Sequence, residues 1–101
     1  MNREKGKNGS YVCPCCGYAT LDEVANYEIC ELCFWEDDGQ DDIDAHECLG
    51  GPNHVSLTEA RKNFLEFGAA EKKDLSCVRS VRPTDENVRN YKLINGEACA
   101  N

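Results

Sequence analysis

Residues 11–35 of the chain read YVCPCCGYATLDEVANYEICELCFW and contain two pairs of cysteines, Cys13 with Cys16 and Cys30 with Cys33. Two residues separate the cysteines of each pair, so one tight turn can direct both sulfurs at a single ion. Thirteen residues separate Cys16 from Cys30, which is enough for a hairpin that brings the second turn to face the first. The spacing therefore predicts a tetrahedral metal site formed by Cys13, Cys16, Cys30 and Cys33.

A tetrahedral ion that is bound by four protein ligands has no position left for water or substrate. Such a shell favours a structural ion over a hydrolytic or Lewis-acid one, so we expect no enzyme activity. Zinc is the expected metal because closed four-cysteine shells are commonly structural zinc sites. Iron is the alternative, since the same four thiolates accept it.

The chain has 101 residues and eight cysteines, a length that suits one domain with a limited core. Residues 1–10 are polar and charged without an apolar export segment, and no apolar run reaches the length of a membrane span. We therefore expect a soluble cytoplasmic protein without a membrane partner, whose reduced cysteines bind metal rather than form disulfides. The expected organisation is a flexible arm over residues 1–10, a cysteine-rich domain over 11–70 and an extension over 71–101.

Charge is unevenly distributed along the chain, whose formal net charge is -8. Between Asn8 and Ala60 there is no Lys or Arg, whereas twelve Asp and Glu residues fall in the same stretch. Such a surface repels the phosphate backbone of nucleic acids, so we expect no nucleic-acid partner. The acidic face from Glu36 to Glu47 is expected instead to bind a basic surface of a protein partner in a binding or adaptor role, because opposite charge provides steering and specificity.

The acidic run over residues 36–44, EDDGQDDID, is similar in composition to a calcium-binding loop. An EF-hand requires an acid five positions before its glycine, and here Phe34 occupies that position relative to Gly39. The run therefore predicts a solvated acidic loop without a calcium site.

The cysteines and histidines outside the two pairs leave several interpretations open. Cys15, inside the first turn, can be an inert spacer, a replacement for Cys16 as ligand, part of a second metal site, or an exposed thiol that senses oxidants. His46, Cys48 and His54 are considered as a second metal site, although their spacing fits no standard zinc motif. Two further cysteines follow no pattern, namely Cys77 and Cys99.

A capping box begins at Ser56, which is followed three residues later by Glu59. Apolar residues recur at helical spacing from Leu57 to Phe67, and Gly68 is placed to end the helix. These signals predict a helix over residues 57–67.

The last part of the chain gives weaker signals. Residues 71–78 predict a short helical turn, and residues 84–94, after Pro83, predict a C-terminal helical segment that Asn95-Gly96 ends. The predicted fold class is therefore small α+β: β-hairpin metal knuckles of the zinc-ribbon or rubredoxin type, one well-capped helix and a C-terminal helical segment.

Residues 11–18 are similar to the first knuckle of rubredoxin-type domains, a likeness that implies an iron held by four cysteines and a role in carrying one electron. The chain as a whole resembles the bacterial cysteine-rich CPCC family. The resemblance lies in CPCCGY at 13–18, YEICELCFWEDDG at 27–39, GGPNHVSL at 50–57 and ARKNFLEFGA at 60–69. It covers residues 11 to about 70 and implies a small metal-binding domain.

Overall fold

The structure is a computed structural model that describes residues 3–99. Within these residues the chain forms two short antiparallel hairpins, one α-helix and two 3₁₀ helices. The strands are β1 (Tyr11–Val12), β2 (Ala19–Leu21), β3 (Lys92–Ile94) and β4 (Glu97–Cys99). The helices are α1 (Leu57–Phe67) and the 3₁₀ helices Asp42–Asp44 and Lys72–Cys77. The chain is thus a small α+β protein, as the sequence predicts.

The first hairpin, formed by β1 and β2, encloses the first pair of cysteines. Tyr11 pairs with Leu21 and Val12 pairs with Ala19, with an irregularity in register between the two pairs. Such a bulge increases the local twist of the hairpin. The second pair of cysteines lies in a similar return of the chain, since Ile29 forms a single antiparallel bridge with Glu36.

Helix α1 forms where its capping signals predict it. The Ser56 hydroxyl accepts a hydrogen bond from the amide of Glu59 at the start of the helix, and Gly68 ends the helix with a left-handed φ of 99°. Such caps satisfy backbone groups that the helix itself leaves without partners. None of the helices within residues 3–99 has both the length and the apolar character that crossing a membrane requires.

The buried core is built around the cysteines. Five of its members are Cys13, Cys15, Cys16, Cys30 and Cys33, and they are packed with apolar residues from the first hairpin, from the second cysteine turn and from α1. The apolar members are Leu21, Leu32, Trp35, Ala45, Leu57, Ala60 and Ala70. Five of the twelve residues in this cluster are thus cysteines.

The C-terminal segment differs from its prediction. Lys72–Cys77 is a 3₁₀ helix, which confirms the short turn expected over residues 71–78. The helical segment predicted over residues 84–94 is wrong, because Lys92–Ile94 pairs with Glu97–Cys99 as a hairpin. Asn95 and Gly96 form its two-residue turn with φ values of 52° and 81°. Positive φ at both turn positions is typical of the Asn-Gly hairpin turn, so this dipeptide joins two strands rather than ending a helix.

The described part of the N-terminal arm, residues 3–10, packs along β1. Lys5 bridges to Tyr11, and the amide of Val12 donates to the carbonyl of Glu4 at 2.9 Å. Arg3 is buried. Residues 1 and 2 of the predicted arm, and residues 100 and 101 of the predicted extension, lie outside the described residues.

Candidate metal centre

The first cysteine turn is held by two backbone hydrogen bonds. The amide of Cys13 donates to the carbonyl of Tyr18 at 2.8 Å, and the amide of Gly17 donates to the carbonyl of Cys13 at 2.9 Å. Gly17 adopts a φ of 80°, and a Cβ at this position would lie 3.1 Å from side-chain atoms of Arg89 and Tyr91. Glycine is therefore required here both by the left-handed backbone and by the close approach of the C-terminal segment.

The second cysteine turn repeats the geometry of the first. The amide of Cys30 donates to the carbonyl of Trp35 at 2.9 Å, and the amide of Phe34 donates to the carbonyl of Cys30 at 2.8 Å. Phe34 has a φ of 68° and takes the position that Gly17 holds in the first turn. A left-handed φ is uncommon for a residue other than glycine, so the surrounding structure must impose it. The two turns, residues 13–18 and 30–35, thus have the same hydrogen bonds and face each other; they are called the first and the second knuckle.

The four predicted ligands converge on one point. Their Sγ atoms all lie within 4.8 Å of one another, and all four residues are buried. The distance is 3.6 Å between the sulfurs of Cys13 and Cys33, and 3.8 Å between those of Cys16 and Cys30. Zinc–sulfur bonds of about 2.3 Å in a regular tetrahedron place neighbouring sulfurs about 3.8 Å apart. The chemistry and spacing of the donor set therefore fit one tetrahedral metal ion.

Electrostatics at the four sulfurs favour a bound cation. Burial raises the pKa of Cys16 and Cys33 well above the ordinary value of a thiol. Hydrogen bonds from Cys13, Cys16 and Cys33 instead hold the pKa of Cys30 well below that value. Burial therefore opposes the presence of several thiolates side by side unless an opposite charge compensates them. A divalent cation would compensate for the loss of the remaining protons.

Cys15 is part of the core and does not join the four sulfurs. Its side chain is 1 % exposed, and its contact with Cys33 contributes to the raised pKa of that thiol. The exposure expected of Cys15 as an oxidant sensor is wrong, because the residue is buried. Among the described residues the metal-ligand group consists of Cys13, Cys16, Cys30 and Cys33, so Cys15 does not replace Cys16.

The residues considered for a second metal site do not form one in the described part of the chain. His46, Cys48 and His54 are all exposed. The Cys48 thiol lies 3.6 Å from the carbonyl oxygen of His54, whereas the His54 ring contacts Glu71, with 3.3 Å between Nδ1 and Oε2. Cys77 is exposed and Cys99 is half-buried, away from the four-cysteine group.

Three arginines that are distant in sequence converge on the acidic run. The carboxylate of Asp41 lies 2.8 Å from Nε of Arg3, 2.8 Å from Nη1 of Arg89 and 3.6 Å from Nη2 of Arg61. Burial opposes ionisation of Asp41, but hydrogen bonding and charge from Arg89, together with the charge of Arg3, lower its pKa. Asp41 is therefore held as a carboxylate that joins the arm, α1 and the C-terminal segment.

Asp37 also lies inside this network. The side chains of Asp37 and Arg3 are both 0 % exposed, and the carboxylate oxygens lie 3.2 and 3.3 Å from the two terminal nitrogens of Arg3. Asp37 also accepts a hydrogen bond from the amide of Ala25 at 2.9 Å. A buried carboxylate is tolerable only when such partners replace water. The prediction of a solvated loop over residues 36–44 is therefore wrong at Asp37, and also at Gln40, which is buried as well.

The arginine network also contacts the first knuckle directly. Arg3 Nη1 donates to the carbonyl of Val12 at 3.0 Å, and Arg61 Nε donates to the carbonyl of Pro14 at 2.8 Å. These two carbonyls lie on either side of Cys13. Sequence reasoning missed this role of the arginines because each one is separated from its partners by many residues.

A fourth arginine contacts the second knuckle. Arg79 Nε lies 2.6 Å from the carboxylate of Glu31, between Cys30 and Cys33, and the Arg79 amide donates to the Glu31 carbonyl. The same guanidinium binds Asp85 at 2.8 Å and lowers the pKa of Asp85 to about 2. Each knuckle is therefore tied by arginine to a part of the chain that lies outside the cysteine-rich segment.

Comparison with known protein families gives one result that bears on this site. The model of the cysteine-rich CPCC family matches residues 11–86, which include both knuckles, the acidic run, α1 and the Asp85 carboxylate. The match continues beyond residue 70, where the recognisable motifs end. No curated protein and no solved structure matches the chain. Because the family match spans most of the sequence, the chain belongs to the cysteine-rich CPCC family.

Proposed function

We propose that the chain binds one zinc ion through Cys13, Cys16, Cys30 and Cys33, and that this ion stabilises the fold. The proposal rests on the convergence of four buried sulfurs, with 3.6 Å between those of Cys13 and Cys33 and 3.8 Å between those of Cys16 and Cys30. This spacing matches the edge of a zinc tetrathiolate, which is about 3.8 Å. The matching backbone hydrogen bonds of the two knuckles support the proposal, because they direct both pairs of sulfurs at the same point.

A structural role follows from the closed shell and from the composition of the core. Four thiolates leave the ion no position for water or substrate, so we propose binding rather than catalysis. The ion would join residues 13–16 to residues 30–33 across the centre of the core. In small domains the free energy of metal binding contributes directly to folding.

Iron is the competing metal, in the manner of the rubredoxin-like site considered above. The test is the metal content and visible absorption of protein produced in medium that contains defined amounts of both metals. Zinc tetrathiolate is colourless, whereas ferric tetrathiolate absorbs in the visible. A colourless protein with zinc is the expected result. A coloured protein with iron would overturn the choice of zinc and favour electron transfer.

We further propose that the acidic face from Glu36 to Glu47 binds a basic surface of a protein partner. Asp37 and Asp41 are already paired with arginines, so recognition is assigned to Asp38 and Glu47. Asp38 is half-buried and Glu47 is exposed. Charges at the rim of an interface mainly affect the association rate and its salt dependence.

The variant Asp38→Asn/Glu47→Gln tests the partner proposal. We expect it to reduce the rate at which a basic protein associates with the chain at low salt, with no change in the free energy of unfolding. Stopped-flow association at two salt concentrations measures the effect. An unchanged rate and salt dependence would remove the support for this face as a binding surface.

A further inference from the structure

We propose that Thr20 is a positioning residue of the metal centre, whose hydroxyl donates a hydrogen bond to the Cys30 thiolate and sets the strength of that sulfur as a ligand. The inference rests on the proposed zinc site. The Oγ1 atom of Thr20 lies 3.1 Å from the Sγ atom of Cys30. Thr20 belongs to neither knuckle.

The register of the first hairpin places Thr20 at this sulfur. Thr20 is the middle residue of β2, and its neighbours Ala19 and Leu21 are both buried and paired with β1. The amide of Ala19 also donates to the carbonyl of Glu86 at 2.9 Å. These contacts fix β2 on both sides of Thr20. As a result, the Thr20 hydroxyl, which follows the first knuckle in the chain, lies at Cys30 of the second knuckle.

The direction of this hydrogen bond follows from the chemistry of a metal ligand. A thiolate that binds a metal has no proton, so the hydroxyl must donate and the sulfur must accept. Cys30 also accepts a hydrogen bond from the amide of Leu32 at 3.4 Å, within its own turn. Among the described residues, Thr20 is the only hydroxyl within hydrogen-bond distance of the four sulfurs. The four thiolates are therefore not equivalent.

Two effects follow for the bound ion. A donated hydrogen bond stabilises the negative charge of the Cys30 sulfur and fixes the orientation of this ligand. It also withdraws electron density from the sulfur, which makes Cys30 a weaker electron donor to the metal than its three partners. Replacing a group that contacts a metal ligand in this way commonly weakens metal binding by about 10–100-fold.

The test compares Thr20→Val, which keeps the branched shape and removes the hydroxyl, with Thr20→Ser, which keeps the hydroxyl. We expect Thr20→Val to bind zinc about 10–100-fold more weakly in competition with a chelator, and Thr20→Ser to bind within a few-fold of wild type. With cobalt in place of zinc, Thr20→Val should shift the sulfur-to-cobalt charge-transfer band to lower energy. A purely structural role would leave this band unmoved.

The outcomes separate this inference from the proposal on which it rests. A wild-type chain that binds no zinc overturns the proposed function and the role of Thr20 together. If wild type binds zinc and Thr20→Val matches it in affinity and in the cobalt spectrum, only the role of Thr20 is overturned. If Thr20→Val does not fold with saturating zinc, Thr20→Ala and Thr20→Ser provide the same comparison.

Discussion

Replacing Cys13 by serine is expected to abolish tight zinc binding and to lower the free energy of unfolding by about 5 kcal/mol or more. A serine hydroxyl does not ionise near neutral pH, so the ion would lose one of its four thiolates. The position is fully buried, and water cannot readily take the place of the lost ligand. Because zinc binding contributes directly to folding in small domains, this loss approaches the whole stability of the chain.

The matched control for Cys13→Ser is Cys48→Ser, which replaces an exposed cysteine outside the four-sulfur group. We expect the control to keep one zinc per chain and to unfold at the wild-type temperature. Zinc content after dialysis against a chelator, together with thermal unfolding followed by circular dichroism, measures both effects. Retention of zinc and of wild-type stability by Cys13→Ser would show that this cysteine is not a ligand.

Replacing Asp37 by asparagine is expected to lower the free energy of unfolding by about 3 kcal/mol. Asp37 and Arg3 form a buried pair, and asparagine would leave the guanidinium with Asp41 as its remaining carboxylate partner. Removing one member of a buried ion pair is costly because the other charge stays away from water. The side-chain amide of asparagine also has an N–H group where Arg3 and the Ala25 amide already donate hydrogen bonds, so donors would face donors.

The control for Asp37→Asn is the neighbouring Asp38→Asn. Asp38 is half-buried and accepts a hydrogen bond from the amide of Gln40, which the oxygen of asparagine can still accept. We expect this variant to change the free energy of unfolding by less than about 0.5 kcal/mol. Urea unfolding of zinc-saturated protein measures both variants. Equal stabilities for Asp37→Asn and Asp38→Asn would contradict the buried arginine network.

The features that the sequence predicts well are those set by local spacing. The two Cys-x2-Cys turns converge because each needs only a few residues to direct its sulfurs, and each is enclosed by its own short antiparallel pairing. Helix α1 begins after Ser56 and ends before Gly68 because both caps are local signals. The cysteine turns and the helix caps thus depend only on residues that are close together in the sequence.

The C-terminal hairpin has a local signal in the sequence, the dipeptide Asn95-Gly96. Asn95-Gly96 is flanked by short β-compatible segments, and this dipeptide is among the strongest hairpin signals. The stretch after Pro83 instead predicts a helix over residues 84–94. In the structure Tyr91 packs under the guanidinium of Arg61, at 4.8 Å from its ring, so the contact of that ring is set by tertiary structure.

The arginine network could not be predicted in detail, because its ion pairs join residues that are far apart in sequence. One sequence feature does point to it. The stretch without Lys or Arg carries twelve acids, while Arg3, Arg61, Arg79 and Arg89 lie outside it, and each of these four arginines binds an acid within it. Acids and arginines that are separated along the chain are thus paired in the folded structure. This pairing also reduces the negative charge that is left to attract a partner.

We propose that Cys13, Cys16, Cys30 and Cys33 together bind one zinc ion and that the fold requires this ion. Native mass spectrometry of the full chain, before and after removal of metal by a chelator, measures the zinc content. Thermal unfolding of the same two samples shows whether the fold depends on the zinc. We predict one zinc per chain before treatment, and loss of cooperative unfolding when the zinc is removed. If the chain carries no metal and still unfolds cooperatively at the same temperature, the fold does not require zinc.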